Sequence, residues 1–229
     1  MAELVTYALA DKVATLTLNN GKANAFSHQL IAEFNAALDQ AEKDQAVVVI
    51  TGQPGMFSGG YDLKVMRESL ASALALVKEG STLSRRLLSF PLPVISACSG
   101  HAVAQGAFIL LSSDIRIAVD GPFKIGLNEV AIGMVMHQVG IELAQQRLPD
   151  SYFNRSVICA EMFDPKEASK AGFVDRVVPE DQLMPTALAI AKQLSQLDMR
   201  AHAGTKLKSR AAFLARLDAA IEKDLNATL

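Results

Sequence analysis

The chain has 229 residues, 22 basic against 24 acidic, giving a formal net charge of −2. Half of the residues are hydrophobic and 20% are charged, which excludes a disordered chain. The near-neutral balance gives no electrostatic reason to expect nucleic acid or an acidic membrane as partner. At about 150 residues per domain, the length corresponds to one domain with an appendage. A chain of this size buries about 70% of its unfolded surface and needs no disulfide or metal staple. Cys98 and Cys159 have no CxxC spacing, so neither a disulfide framework nor a metal site is expected. Glu3 and the absence of a basic, then apolar, leader argue against a signal peptide, and no run approaches a membrane span of about 18 residues. The expected location is cytoplasmic.

In chain order, Leu4–Ala8 and Val13–Leu18 alternate as two antiparallel strands with a turn at Ala10-Asp11-Lys12. Asn19-Asn20-Gly21-Lys22 forms a loop, and Ser27 is placed to cap a helix whose apolar face is Leu30, Ile31, Phe34, Ala37, Leu38 and Ala41. Ala46–Ile50 is a continuous apolar run, the mark of a strand buried on both faces of a parallel sheet. Residues 62–90 read as helical with a break at Gly80, Val94–Cys98 as a second buried strand, and Ala102–Ser113 as a small-residue segment. Ile115–Val119 is a third buried strand. Helix follows over Gln138–Arg147, with two further helical stretches up to Gly172, a strand at Phe173–Val178, and helices over 180–197 and 203–226. Repeated strand-then-helix units imply an α/β fold with a parallel sheet and right-handed crossovers. The expected division is a core over 1–178 and a helical region over 179–229.

Three segments stand where chemistry could sit. Met56–Leu63 follows a buried strand and opens a helix. Gly59 and Gly60 there allow a sharp turn that leaves free N–H groups at the helix start. Ser99–Phe108 repeats the arrangement after the next buried strand, with small residues at 102, 104, 106 and 107. Each segment alone fits a tight structural turn. Together they fall on the carboxyl edge of one sheet, where ligands bind in open α/β folds, and two facing N–H groups there could stabilise an oxyanion. The third segment is Ile125–Gly133, in which Glu129 is the only acid between Asp120 and Glu142, among apolar neighbours. Such a carboxylate is suited to a raised pKa and proton transfer. Cys98, ending a buried strand, reads as a small hydrophobe. The absence of GxSxG, GxxxxGK[ST] and GxGxxG removes the main support for hydrolase-elbow, P-loop and Rossmann readings.

In this order, the Gly21–Phe26 loop, the Phe57–Leu63 turn, Pro93–Gly106, Ser113–Ile117, Ile125–Gly133, Phe163–Gly172 and Val174–Glu180 resemble the crotonase, or enoyl-CoA hydratase/isomerase, superfamily over nearly the whole chain. The resemblance implies a ββα superhelix with a C-terminal helical trimerisation region, assembled as a homotrimer or dimer of trimers. It implies an acyl-coenzyme A thioester as substrate, with no further cofactor. On matching positions the backbone N–H groups of Tyr61 and Gln105 form the oxyanion hole, Gln105 standing where the family usually has glycine. Glu129 matches the second of the two hydratase glutamates, and the first is replaced by Phe108. Only the second is kept by the Δ3-Δ2-enoyl-CoA isomerases, whose branch the pattern resembles most. The implied binding residues are Lys22, Ala23 and Ala25 along the coenzyme A, with Gly59, Gly60, Asp62, Leu63, Phe108 and His137 around the acyl group, Phe108 as a wall that excludes water. The implied reaction is a shift of a 3-enoyl double bond to the 2-trans position, Glu129 acting as sole acid and base. The alternatives are hydration or another crotonase-fold reaction, with His137 or His101 supplying a second polar group, and a non-catalytic acyl-CoA-binding protein.

Overall fold

The computed structural model describes residues 3–225. The chain starts with a hairpin, β1 (Val5–Ala10) and β2 (Val13–Leu18), closed by Asp11 and Lys12, both at positive φ as a two-residue turn requires. Helix α1 (His28–Lys43) begins at Ser27, whose hydroxyl accepts the Leu30 N–H, and its buried residues are those of the predicted face. Strand β3 (Val47–Thr51) is buried throughout. A short strand, β4 (Gly55–Ser58), leads to α2 (Leu63–Glu68) and α3 (Leu70–Ser89). Then come β5 (Val94–Cys98), β6 (Gly100–Val103), α4 (Gln105–Ser112), β7 (Ile115–Val119) and β8 (Ile125–Gly126). The rest is α5 (Gln138–Arg147), α6 (Asp150–Phe153), α7 (Pro165–Ala171), β9 (Arg176–Val178), α8 (Leu183–Leu194) and α9 (Met199–Asp224). Residue 226 of the expected last helix lies outside the described residues.

The strands form two sheets. One has six strands in the order β1-β2-β3-β5-β7-β9, antiparallel only at the hairpin. The other is parallel and has three, β4-β6-β8. Each core strand therefore makes a β-β-α turn, with a long strand in the large sheet followed by a short one in the small sheet. Helix α8 covers one face of the large sheet through Leu183, Ala187 and Ala191, which pack with Val47, Val49, Ile95 and Ile117. The other face meets the main core, which includes Phe26, Phe34, Phe57, Phe108, Phe163 and Phe173. Among the described residues no helix is long and apolar enough to cross a membrane.

Two expectations need correction. The helical stretch over 62–90 breaks at Ser69, whose hydroxyl caps α3 through the Ser72 N–H, and the helix continues through Gly80. A Cβ at Gly80 would lie 2.3 Å from the Tyr61 hydroxyl, so this glycine makes room for a ring. The small-residue segment over 102–113 contains a strand end before its helix, because Gly100–Val103 pairs with both β4 and β8.

Candidate functional site

The three strands of the small sheet end side by side, and each runs directly into one of the segments singled out in the sequence. After β4 comes the turn Gly59-Gly60-Tyr61. Ser58 Oγ, fully buried, accepts the Gly60 N–H at 3.1 Å, and Gly60 adopts φ +98°. Asn24 supports this turn from the preceding loop. It is wholly buried, donates to the Leu18 and Phe57 carbonyls, and accepts the Asn20 N–H. The Gly59 N–H donates to the Ala23 carbonyl at 2.8 Å.

After β6 comes Ala104, held at φ +51° although it has a side chain, immediately before the first residue of α4. A non-glycine residue in that region is strained and persists only when its surroundings over-determine it. The surroundings here are the first turn. A Cβ on Gly60 would lie 2.9 Å from Ala104 Cβ and 3.7 Å from the Gln105 backbone N, and one on Gly106 would lie 2.7 Å from the Ser58 carbonyl. Both glycines are required for close approach. As the first residue of α4, Gln105 has an N–H without an intrahelical acceptor. Its side chain turns away from the turn and donates to the Gly80 carbonyl at 3.1 Å. The Gln105 side chain is thus absorbed by α3, leaving the main chain free of it.

After β8 comes Asn128-Glu129. Glu129 is 6% exposed, and one of its carboxylate oxygens is buried with no hydrogen-bond partner among the described residues. Burial pushes its pKa up from 4.5 to about 7, partly offset by its own backbone N–H. Burial and the Glu129 charge also push the Tyr61 hydroxyl well above its usual range.

These elements face a cleft lined by Gly59, Tyr61, Leu63, Ala104, Asn128, Glu129 and His137, with Met66, Val77, Ile132, Met134 and Val135 as its apolar walls. Of the residues expected from sequence, Gly59, Tyr61, Leu63, Glu129 and His137 come together around it, while Gly60 and Gln105 meet at the contact between the two turns. Lys22 and Ala23 are exposed on the adjoining loop, and Ala25 is half-buried there and accepts from the Asn20 side chain.

Two placements differ from expectation. Asp62 does not line the cleft but caps α2, its carboxylate accepting the Lys64 N–H at 2.9 Å. Phe108 is not a wall of the cleft. It is fully buried in the main core, and His137 stands edge-on against it with ring centroids 5.1 Å apart. His137 is itself buried, which pushes its pKa down to about 4 and keeps it neutral. His101 lies elsewhere, its Nδ1 accepting the Lys124 N–H and its ring against Phe123. Cys98 donates to the Gly100 carbonyl, and burial pushes its thiol up to about 12, which leaves it inert. Ser58 and Asn24 are supports that sequence reading missed. The second could have been suspected from an asparagine placed among small residues in Gly21–Phe26, since asparagine tolerates the positive φ it adopts.

The model of the enoyl-CoA hydratase/isomerase family matches residues 9–227. The mitochondrial enoyl-CoA delta isomerase 1 of Homo sapiens is 31% identical over 210 residues, covering 90% of this chain and 70% of that protein. A probable enoyl-CoA hydratase of Bacillus subtilis is 30% identical over 198 residues, covering 84% and 76%. The crystal structure of an enoyl-CoA hydratase/isomerase family protein from Pseudomonas syringae superposes with a TM-score of 0.97 at 63% identity, covering 99% of this chain and 98% of that one. Helices on a mixed sheet, three turns meeting at one cleft and a match over almost the full sequence lead to one conclusion: the chain belongs to the crotonase, or enoyl-CoA hydratase/isomerase, superfamily and is an enzyme of that family.

Proposed function

We propose that this enzyme shifts the double bond of a 3-enoyl-CoA to the 2 position, with Glu129 as the only acid and base. The observation that carries this reading is that Glu129 is the one carboxylate among the described residues lining the cleft, buried and with its pKa raised to about 7. A base of that pKa is partly ionised at neutral pH and still basic enough to take a proton activated by a thioester. Glu129 removes a proton from C2. The electron pair moves onto the thioester oxygen, giving a dienolate that the N–H groups of Tyr61 and Gln105 hold. The protonated Glu129 then returns the proton to C4, the C2–C3 double bond forms and the thioester carbonyl is restored. Nothing is added or lost, so one group suffices. The similarity to a delta isomerase supports the same choice.

Lys22, Ala23 and Ala25 lie along the coenzyme A in this reading, with local amides and a few lysines rather than a global field receiving the anion. Assembly as a homotrimer or dimer of trimers belongs to the same proposal. Syn hydration of a 2-enoyl-CoA is the second reading, favoured by His137 lining the same cleft as Glu129 and by the similarity to hydratases. A histidine with a pKa near 4 is a poor base for water at neutral pH, which ranks hydration below isomerisation. Turnover of 3-enoyl-CoA, 2-enoyl-CoA and saturated acyl-CoA measured side by side separates the readings. Isomerisation of the first with little reaction of the others is expected, and faster hydration of the second would overturn it. Binding of all three without turnover of any would contradict both.

A further inference from the structure

The loop that carries Glu129 has little burial of its own. Val130, Ile132 and Val135 are 46%, 51% and 71% exposed. Its near end runs on from β8, where Ile125 pairs with Phe163 and Leu127 is buried in the core, and within the loop the Glu129 carbonyl accepts the N–H groups of Ile132 and Met134. Its far end is the start of α5, where Met136, His137 and Val139 enter the core. A free helix start has N–H groups without partners. At this one they are taken by a residue far along the chain. Asp224, 8% exposed in the last turn of α9, accepts the Gln138 N–H at 2.6 Å on one carboxylate oxygen and the Val139 N–H at 3.0 Å on the other. Its neighbour Lys223 donates to the Gln138 side chain at 2.9 Å. His137, the cleft residue next to this cap, and Tyr61 both feel the Asp224 charge.

We propose that Asp224 is a positioning residue for the reaction: by capping α5 from the end of α9, it fixes the far anchor of the 129–137 loop and so the place of Glu129 in the cleft. The inference rests on the acid–base role proposed for Glu129. A carboxylate satisfies two N–H groups at a helix start and complements the helix dipole, whereas the N-cap residue itself, His137, makes no side-chain capping bond. Misplacing a catalytic group by about 1 Å can cost about a hundredfold in rate.

The other end of α9 supplies the control. Lys206, about 27 Å away along the helix axis, is buried against Asp114 and the Leu92 carbonyl and takes no part in the cleft. The experiment compares wild type, D224A, D224N and K206M by steady-state kinetics on a 3-enoyl-CoA, thermal unfolding, and amide hydrogen exchange over residues 129–139. The expected result is a fall in kcat of about tenfold or more for D224A, with KM within about twofold. D224N should be intermediate, because its amide oxygen still accepts one N–H. K206M should lower Tm and leave kcat near wild type. Exchange over 129–139 should quicken in D224A and not in K206M.

A D224A kcat within twofold of wild type, or a K206M loss as large as that of D224A, would overturn the role of Asp224. A wild type that fails to isomerise would overturn the reading of Glu129 instead. In that event exchange over 129–139 still decides whether Asp224 anchors the loop, and an unchanged pattern in D224A would refute it.

Discussion

The large and small sheets divide the molecule's work. The six strands of the large sheet are mostly five or six residues long, and β3 and β5 are buried along their whole length. The small sheet has strands of four, four and two residues. Yet each of those short strands delivers one part of the cleft: β4 the Gly60–Tyr61 turn, β6 the Ala104–Gln105 turn, and β8 the Glu129 loop. Stability and chemistry are thus carried by different strands of the same β-β-α unit. The long strand supplies apolar area, and the short one ends where main-chain groups must face a ligand. Beside the cleft, Gly60 and the non-glycine Ala104 are both held at positive φ.

Substitutions that strike one sheet at a time sharpen this contrast. Of the two sheets, the small one is expected to give the larger loss of activity, through G60A. The new methyl would sit 2.9 Å from Ala104 Cβ, at a φ that alanine rarely adopts, and would push apart the two turns bearing the proposed oxyanion donors. Loss of such a donor typically costs about a hundredfold or more in kcat, so kcat should fall on that scale while far-UV circular dichroism stays near wild type. In the large sheet the opposite pattern is expected. Ile50, fully buried in β3, loses one methyl in I50V, which should lower unfolding stability by about 1 kcal/mol in urea titration and leave kcat unchanged. Equal effects of the two variants on kcat would contradict the division.

The large sheet was legible because its strands are continuous apolar runs bounded by turn residues. Val94–Cys98 and Ile115–Val119 fall on their observed bounds, as does the Val13–Leu18 strand. Helix α1 was legible from its cap and its face. The small sheet was not, since Gly55–Ser58 and Ile125–Gly126 are too short, and too rich in glycine, for a period of two to register. The site was therefore visible as residues before it was visible as a sheet. Glu129 stood out by isolation among apolar neighbours, which is also what raises its pKa. Gly80 misled for a related reason: its low helix propensity suggests a break, whereas its use is to receive the Tyr61 ring, a tertiary contact no local pattern carries. Phe108 and His137 show the same limit, because which of two residues faces a cleft depends on α4 and α5 packing together. Asp224 lies 85 residues from the nearer backbone group it caps, beyond any local signal.

The central claim is that one buried carboxylate with a raised pKa performs the proton transfers, and the pH–rate profile of wild type beside E129Q tests it most directly. A base must be ionised to act, so wild-type kcat/KM for a 3-enoyl-CoA should rise with pH and level off above a midpoint near the Glu129 pKa of about 7. E129Q should bind the acyl-CoA comparably and lose turnover by about a thousandfold or more at every pH. A wild-type midpoint in the ordinary carboxylate range, or E129Q activity within tenfold of wild type, would contradict the account.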